Sequence, residues 1–235
     1  MPPLALVTGA SKGHGAVLAA FLAGLGYDLV VTARDETALD ERADALAAFE
    51  VRVVAVAGDV ADPDHRAELR ELVEARGSLD LLVNNASALG PSPLPPLSEY
   101  PLDEFERVLG VNVVAPLALT RALLPALREA GGLVVNVTSD AAVEGYPGWG
   151  GYGASKAALD QLTRALAAEE SEVGVASVDP GDLRTDMHQR AFPGEDISDR
   201  PLPEITLPFW AWLLGRDPLD VTGRRFEAQG ERWEA

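Results

Sequence analysis

Tyr152 and Lys156 stand four residues apart in Tyr152-Gly153-Ala154-Ser155-Lys156, at the head of a stretch with helical period that runs to about residue 170. Side chains at this spacing share one helix face, so a phenol and an ammonium project side by side. With four tyrosines and two lysines in 235 residues, chance supplies roughly 0.03 such pairs at that offset. An unperturbed tyrosine titrates near pKa ~10, and a neighbouring cation stabilises the phenolate. The pair therefore reads as a general acid/base near neutrality, with Lys156 depressing the phenol's pKa. Ser139 lies thirteen residues before Tyr152, just past an apolar run, where its hydroxyl would hold a substrate oxygen against the phenol. Composition marks the same residues. The chain uses arginine for all but two of its basic positions, Lys12 and Lys156, and keeps asparagine only at Asn84, Asn85, Asn112 and Asn136.

A second constellation comes first in the chain. An apolar run leads directly into Thr8-Gly9-Ala10-Ser11-Lys12-Gly13-His14-Gly15 and then a helical stretch. A strand, a glycine-rich turn and a helix start form a phosphate site, because bare amides converge there and the helix dipole favours negative charge. Glycine is required where a Cβ would block the turn or the approaching pyrophosphate. Arg34 follows the second apolar run, where an acidic residue would chelate ribose hydroxyls; with Lys12 nearby, two cations suit a 2′-phosphate, favouring NADP(H) over NAD(H). Asp59 and Val60 close the third run, and the Asp59 carboxylate suits either an adenine amino group or a helix cap.

The elements that must position these groups follow from periodicity. Strand-length apolar runs at 4–8, 28–32, 52–57, 79–83, 133–137, 173–178 and 224–228 alternate with helical stretches such as 16–25, 36–49 and 64–75. The runs lack polar alternation, as parallel strands covered on both faces do. Asp62-Pro63 reads as an N-cap followed by proline at the first helical position. This order predicts an α/β fold: one doubly wound Rossmann domain over 1–235, with about seven parallel strands and helices on both faces. Pro116 and Pro125 should kink or end the helical stretch 101–127. Segment 186–203 lacks clear periodicity and is the candidate substrate-binding loop.

A net charge of −18 disfavours nucleic acid and anionic membranes. No uninterrupted apolar run has bilayer-spanning length, and no basic region precedes the first apolar run, so a cytoplasmic protein is expected. The absence of cysteine excludes thiolate metal sites and thiol catalysis, and no metal site is read. A serine hydrolase is disfavoured because no G-x-S-x-G elbow is read and because His14, His65 and His188 have no evident serine partner.

In order, the motifs T-G-x3-G-x-G at 8–15, Asp59, Asn84-Asn85-Ala86, Asn112, Ser139, Tyr152, Lys156 and P-G-x3-T at 180–185 resemble the short-chain dehydrogenase/reductase family across nearly the whole chain. The resemblance implies reversible hydride transfer between nicotinamide and a carbonyl or secondary alcohol. Tyr152 would be the general acid/base, Lys156 would bind the nicotinamide ribose, Ser139 would orient the carbonyl, and Asn112 would support a water-linked proton relay. Pro180, Gly181 and Thr185 would border the carboxamide; Asn84 and Ala86 would flank the ribose; a homodimer or homotetramer would form. His14 and Ser87 depart from the family's usual aliphatic residue and glycine. Three segments, 90–96, 140–151 and 186–203, would rim the substrate pocket with Tyr146, Trp149 and Met187, suiting an apolar or aromatic carbonyl compound. The rival reading is a non-catalytic NADP(H)-binding sensor or scaffold of the same fold.

Overall fold

The computed structural model describes residues 1–230 and Trp233. Glu231, Arg232, Glu234 and Ala235, at the end of the expected domain, lie outside the described residues.

Seven parallel strands form one sheet in the order β3-β2-β1-β4-β5-β6-β7. They are β1 Leu4–Thr8, β2 Asp28–Ala33, β3 Val53–Ala57, β4 Leu81–Asn84, β5 Leu133–Val137, β6 Gly174–Asp179 and β7 Arg225–Glu227. Helices α1 Gly13–Gly24, α2 Glu36–Leu46, α3 Pro63–Arg76, α4 Leu102–Leu109, α5 Ala115–Ala130, α6 Gly150–Glu169, α7 Asp186–Ala191 and α8 Leu207–Leu214 complete the main elements. Alternate residues of each strand feed opposite cores. Ala5, Val7, Leu29 and Val31 pack with Leu18 and Leu22 of α1 and with Phe209 and Trp210 of α8. Leu4, Leu6, Val30 and Leu82 pack with Leu69 and Val73 of α3 and Leu119 and Leu123 of α5. Covering both faces explains the unbroken apolar runs of the strands.

The sequence order reverses between β1 and β4, which makes the carboxyl ends of those strands the crevice of the sheet. Asp62 caps α3 by accepting from the Asp64 amide at 3.0 Å, with Pro63 in the first turn, as its sequence predicts.

Two expectations change. The prolines of the stretch 101–127 do not end it. α4 and α5 are joined by one π-helical turn, Gly110–Val114. The physical reason is Pro116: it has no N–H for the carbonyl of Asn112, four residues earlier, so the α-helical ladder cannot continue there. Pro125 sits inside α5 on its exposed side, where water can meet the carbonyl that loses its donor. The continuous stretch Leu102–Ala130 is also long and apolar enough to cross a membrane, which uninterrupted runs do not reveal because Asn112, Thr120 and Arg121 break them. Its apolar side packs against the sheet and α3. The second change is α7, a short helix inside the aperiodic segment, begun by Thr185 Oγ1 accepting from the His188 amide at 3.3 Å.

Candidate active site

A cleft of about 1190 Å³ opens over the carboxyl ends of the strands. Gly9, Ser11, Lys12, Gly13, His14 and Gly15 line it at the start of α1, together with Arg34, Asp59, Val60 and Ala86. Ser139, Tyr152, Lys156, Pro180, Gly181, Thr185, Tyr146, Trp149 and Met187 line the remainder.

The glycine turn fits a dinucleotide phosphate. Gly9 has φ +68°, and a Cβ there would come 2.9 Å from the Ala86 Cα; a Cβ on Gly15 would collide with Asn85 and the Gly9 carbonyl. Lys12 at the N-cap makes no side-chain cap bond and α1 has no acidic residue in its first turn, so the leading amides stay available to an anion. Asn85 ties this turn to the end of β4: its Nδ2 donates to the carbonyls of Thr8 (2.8 Å) and Gly9 (3.2 Å). Sequence reading passed over Asn85 in favour of its neighbour.

Three candidates stand behind the cleft wall. Thr8 Oγ1 is buried and accepts from the Asn85 and Ala86 amides at 3.0 and 2.9 Å, latching β1 to β4. Asn84, expected beside the ribose, turns into the interior instead. Its Nδ2 donates to Asn136 Oδ1 (2.8 Å) and Thr120 Oγ1 (3.2 Å), and Asn136 Nδ2 donates to Thr163 Oγ1 (2.9 Å). A parallel strand sends adjacent side chains to opposite faces, which separates Asn84 from the cleft. Asn112 is fully buried in the π turn; its Oδ1 accepts from the Ala88 amide (2.7 Å) and Ser87 Oγ (3.2 Å), and its Nδ2 donates to the Ala88 carbonyl and to Ser155 Oγ, both at 2.9 Å.

The cations at the β2 end differ in commitment. Lys12 Nζ pairs with Asp186 Oδ2 at 2.9 Å, both exposed. Asp35, beside Arg34, turns its carboxylate to cap α2 on the Ala38 amide at 3.1 Å, leaving Arg34 exposed at the cleft. Asp59 Oδ1 accepts from the Ala61 amide at 2.9 Å, a local turn, and the helix cap that its type also suited is made by Asp62 instead.

Helix α6 delivers Tyr152 and Lys156 to the cleft on one face, with Lys156 Nζ 5.6 Å from the centre of the phenol ring. Nζ donates to the Val137 carbonyl at 2.7 Å, tying α6 to the end of β5. Burial lowers the Lys156 pKa to about 8, against the opposing charges of Asp160 and Asp179. The expectation that Lys156 depresses the phenol is corrected here. Burial dominates and pushes Tyr152 well above the usual range, with the Asp179 and Asp140 charges adding to it and the Ser87 and Ser139 hydroxyls opposing it. Removing a phenolate's hydration costs more than these neighbours return, so the phenol is held protonated.

Arg225 on β7 is a positioning residue that sequence reading missed. Its guanidinium donates to the Ser139 carbonyl (3.1 Å) and Asp179 Oδ2 (2.8 Å), fixing the ends of β5 and β6 together. The run Arg224-Arg225-Phe226-Glu227-Ala228 holds two arginines and a glutamate, so nothing in the sequence singles Arg225 out.

His14 faces packing rather than the cleft chemistry. Trp210 Nε1 donates to its Nε2 at 3.2 Å, and its Nδ1 meets Asn85 Oδ1 at 3.3 Å. Indole N–H is only a donor, so Nε2 accepts and Nδ1 carries the proton. The run Gly9-Ala10-Ser11-Lys12-Gly13 also spells the G-x-S-x-G of a hydrolase elbow, yet among the described residues no histidine hydrogen-bonds Ser11. A second proton on His14 would point at the indole donor, and burial lowers its pKa from 6.5 to about 4. The unfolded chain therefore takes up a proton over that window and the folded chain does not, so stability falls as pH drops from 6.5 to about 4 by about 3 kcal/mol. Denaturant midpoints of the wild type and His14→Gln across this window are expected to lose that difference in the variant; equal pH slopes would refute it.

The chain matches the family model described as short chain dehydrogenase over residues 3–196. The chain belongs to the short-chain dehydrogenase/reductase family. It is 34% identical over 214 residues to 2-(R)-hydroxypropyl-CoM dehydrogenase of Xanthobacter autotrophicus, covering 87% of this chain and 84% of that protein. It is 39% identical over 199 residues to sepiapterin reductase of Mus musculus, covering 79% and 76%. A short-chain dehydrogenase from Shigella flexneri 2a solved in complex with NADP superposes with a TM-score of 0.88 at 31% identity, covering 97% of each chain. Membership makes this protein an oxidoreductase of the nicotinamide-dependent kind.

Proposed function

We propose that this short-chain dehydrogenase/reductase is an NADP(H)-dependent oxidoreductase acting on an apolar or aromatic carbonyl compound and its secondary alcohol. The observation that carries the reading is the meeting of Tyr152, Lys156 and Ser139 in the same cleft as the uncapped start of α1. A bound nicotinamide supplies or accepts the hydride. Tyr152, protonated in its buried setting, gives its proton to the carbonyl oxygen during reduction and recovers one from the alcohol during oxidation. Ser139 holds that oxygen at the mouth of β5. The Lys156 charge stabilises the oxyanion as it develops, an effect enhanced by exclusion of water. Asn112, with its side-chain amide saturated, braces the π turn against Ser155, which itself donates to the Tyr152 carbonyl; the family resemblance supports adding a water-linked proton relay at Asn112 to this reading.

Leu89, Leu94, Trp149, Met187, Ala191 and Phe192 cluster around Tyr152. Trp149 meets the Tyr152 ring edge-on at 5.8 Å and Phe192 at 5.9 Å, which supports an aromatic or apolar substrate. Arg34 supports the choice of the 2′-phosphorylated dinucleotide. We also assign the chain to the cytoplasm as a homodimer or homotetramer; Leu102 and Val114, exposed on the α4–α5 stretch, are the apolar surface that supports association.

The test is a screen of neutral ketones, aldehydes and quinones, following loss of NADPH absorbance beside an NADH control. Turnover with NADPH is expected; binding of NADPH without turnover of any compound would favour the sensor. A further consequence concerns pH. Lys156 loses its charge near pH 8, so NADPH affinity in fluorescence titrations should fall as pH rises through that value, and pH-independent affinity would count against its ribose role.

A further inference from the structure

The substrate end of the cleft carries a carboxylate that the proposed reaction does not use. Asp140 directly follows Ser139 and lines the cleft, exposed. Its Oδ1 accepts from Ser139 Oγ at 2.9 Å and from the Ala141 amide at 2.8 Å, and its Oδ2 accepts from Tyr146 Oη at 3.0 Å. These donors orient the carboxylate without neutralising it. Two other carboxylates of the cleft are answered: Asp179 Oδ2 meets Arg225 at 2.8 Å, and Asp182 meets Arg200 Nε at 3.3 Å and His188 Nδ1 at 3.8 Å. Among the described residues no lysine, arginine or histidine nitrogen lies within 4.0 Å of an Asp140 oxygen. The aromatic and apolar side chains of Trp149, Phe192 and Met187 line the same cleft.

Two consequences follow from elementary electrostatics. A carboxylate on an incoming carbonyl compound would meet the Asp140 charge at the substrate end of the cleft, and like charges at close range disfavour binding. A hydroxyl has one proton to give, and Asp140 Oδ1, 2.9 Å from Ser139 Oγ, competes for it with oxygens inside the cleft. An N–H or ammonium group on the substrate would take over the carboxylate and free the Ser139 proton to turn toward the carbonyl oxygen.

We propose that Asp140 is the specificity-determining residue of this cleft, accepting a hydrogen bond from an amino or ammonium group of an aromatic carbonyl compound and rejecting carbonyl compounds that bear a carboxylate. Recognition of the cation and polarisation of the carbonyl are thereby linked through Ser139. The inference rests on the carbonyl-reduction reading above.

The experiment compares the wild type with Asp140→Asn on three acetophenones carrying an aminomethyl, no, or a carboxylate substituent on the ring, with NADPH. The wild type should rank them in that order by kcat/KM, and the variant should shrink the aminomethyl-to-carboxylate ratio by about tenfold or more, about 1.4 kcal/mol. In parallel, calorimetry measures benzylamine and benzoate binding to the NADPH complex, where Asp140→Asn should lose the preference for the amine. A ratio and a binding preference that do not move in the variant would overturn the assignment while leaving carbonyl reduction intact. If the wild type binds NADPH but turns over none of the three, carbonyl reduction fails, and the calorimetric preference alone decides Asp140. Melting temperature and NADPH affinity report whether the variant folds, and Asp140→Ser gives a second uncharged side chain.

Discussion

Tyr152→Phe is expected to keep NADPH affinity within a few-fold of wild type and to lower kcat/KM by about 30-fold or more, about 2 kcal/mol of transition-state stabilisation. The substitution removes one oxygen and leaves the ring, so the edge-on contact with Trp149 and the packing with Leu89 and Ala191 persist. What disappears is, among the described residues, the only buried phenol that lines the cleft with Ser139. Both directions cross one transition state in which the phenol and the substrate oxygen share a proton, so with NADPH and NADP affinities unchanged the loss in kcat/KM should be about equal for reduction and oxidation. Steady-state kinetics in both directions, with NADPH affinity measured separately, check this. Undiminished turnover of the variant on the same carbonyl compound would remove Tyr152 from the chemistry.

The second large effect concerns the dinucleotide. Arg34→Asp should lower the preference for NADPH over NADH by about two orders of magnitude. Two contributions combine: a charge-assisted hydrogen bond to the 2′-phosphate is lost, at about 1.5–3 kcal/mol, and a carboxylate now faces the phosphate. The neighbouring Asp35 does not substitute for the missing charge logic, because its carboxylate caps α2 through the Ala38 amide. Lys12 contributes less because it already pairs with Asp186. The ratio of kcat/KM values for the two dinucleotides is the measurement; an unchanged ratio would reject the phosphate role of Arg34.

Much of this molecule can be read from its residues. All seven strands fall within one or two residues of the expected runs; six of them do so because strands covered on both faces write themselves largely as Val, Leu and Ala, whereas β7 is Arg-Phe-Glu. The capping of α3 by Asp62 and the shared face of Tyr152 and Lys156 are local facts, set by spacing along a helix. What escapes the sequence depends on residues distant in the chain. Asn84 and Asn85 are adjacent and chemically identical, and only the strand's pleat decides that Asn84 joins Asn136 while Asn85 secures the glycine turn. His14 meets a tryptophan 196 positions away. The acidity of Tyr152 turns on burial, which spacing to Lys156 does not report. Even so, the π turn has a local cause in retrospect: Pro116 withholds the one amide that Asn112 would need.

In the proposed reaction hydrogen passes between nicotinamide and a carbonyl carbon beside Tyr152. Its most direct test is a single-turnover reaction of the purified protein with NADPH deuterated at the nicotinamide C4 and a neutral aromatic ketone, followed by mass spectrometry of the organic product. One deuterium on the carbinol carbon, with no such product from Tyr152→Phe on the same timescale, is the predicted result. Deuterium retained on a tightly bound dinucleotide, with every ketone and aldehyde recovered unchanged, would contradict it.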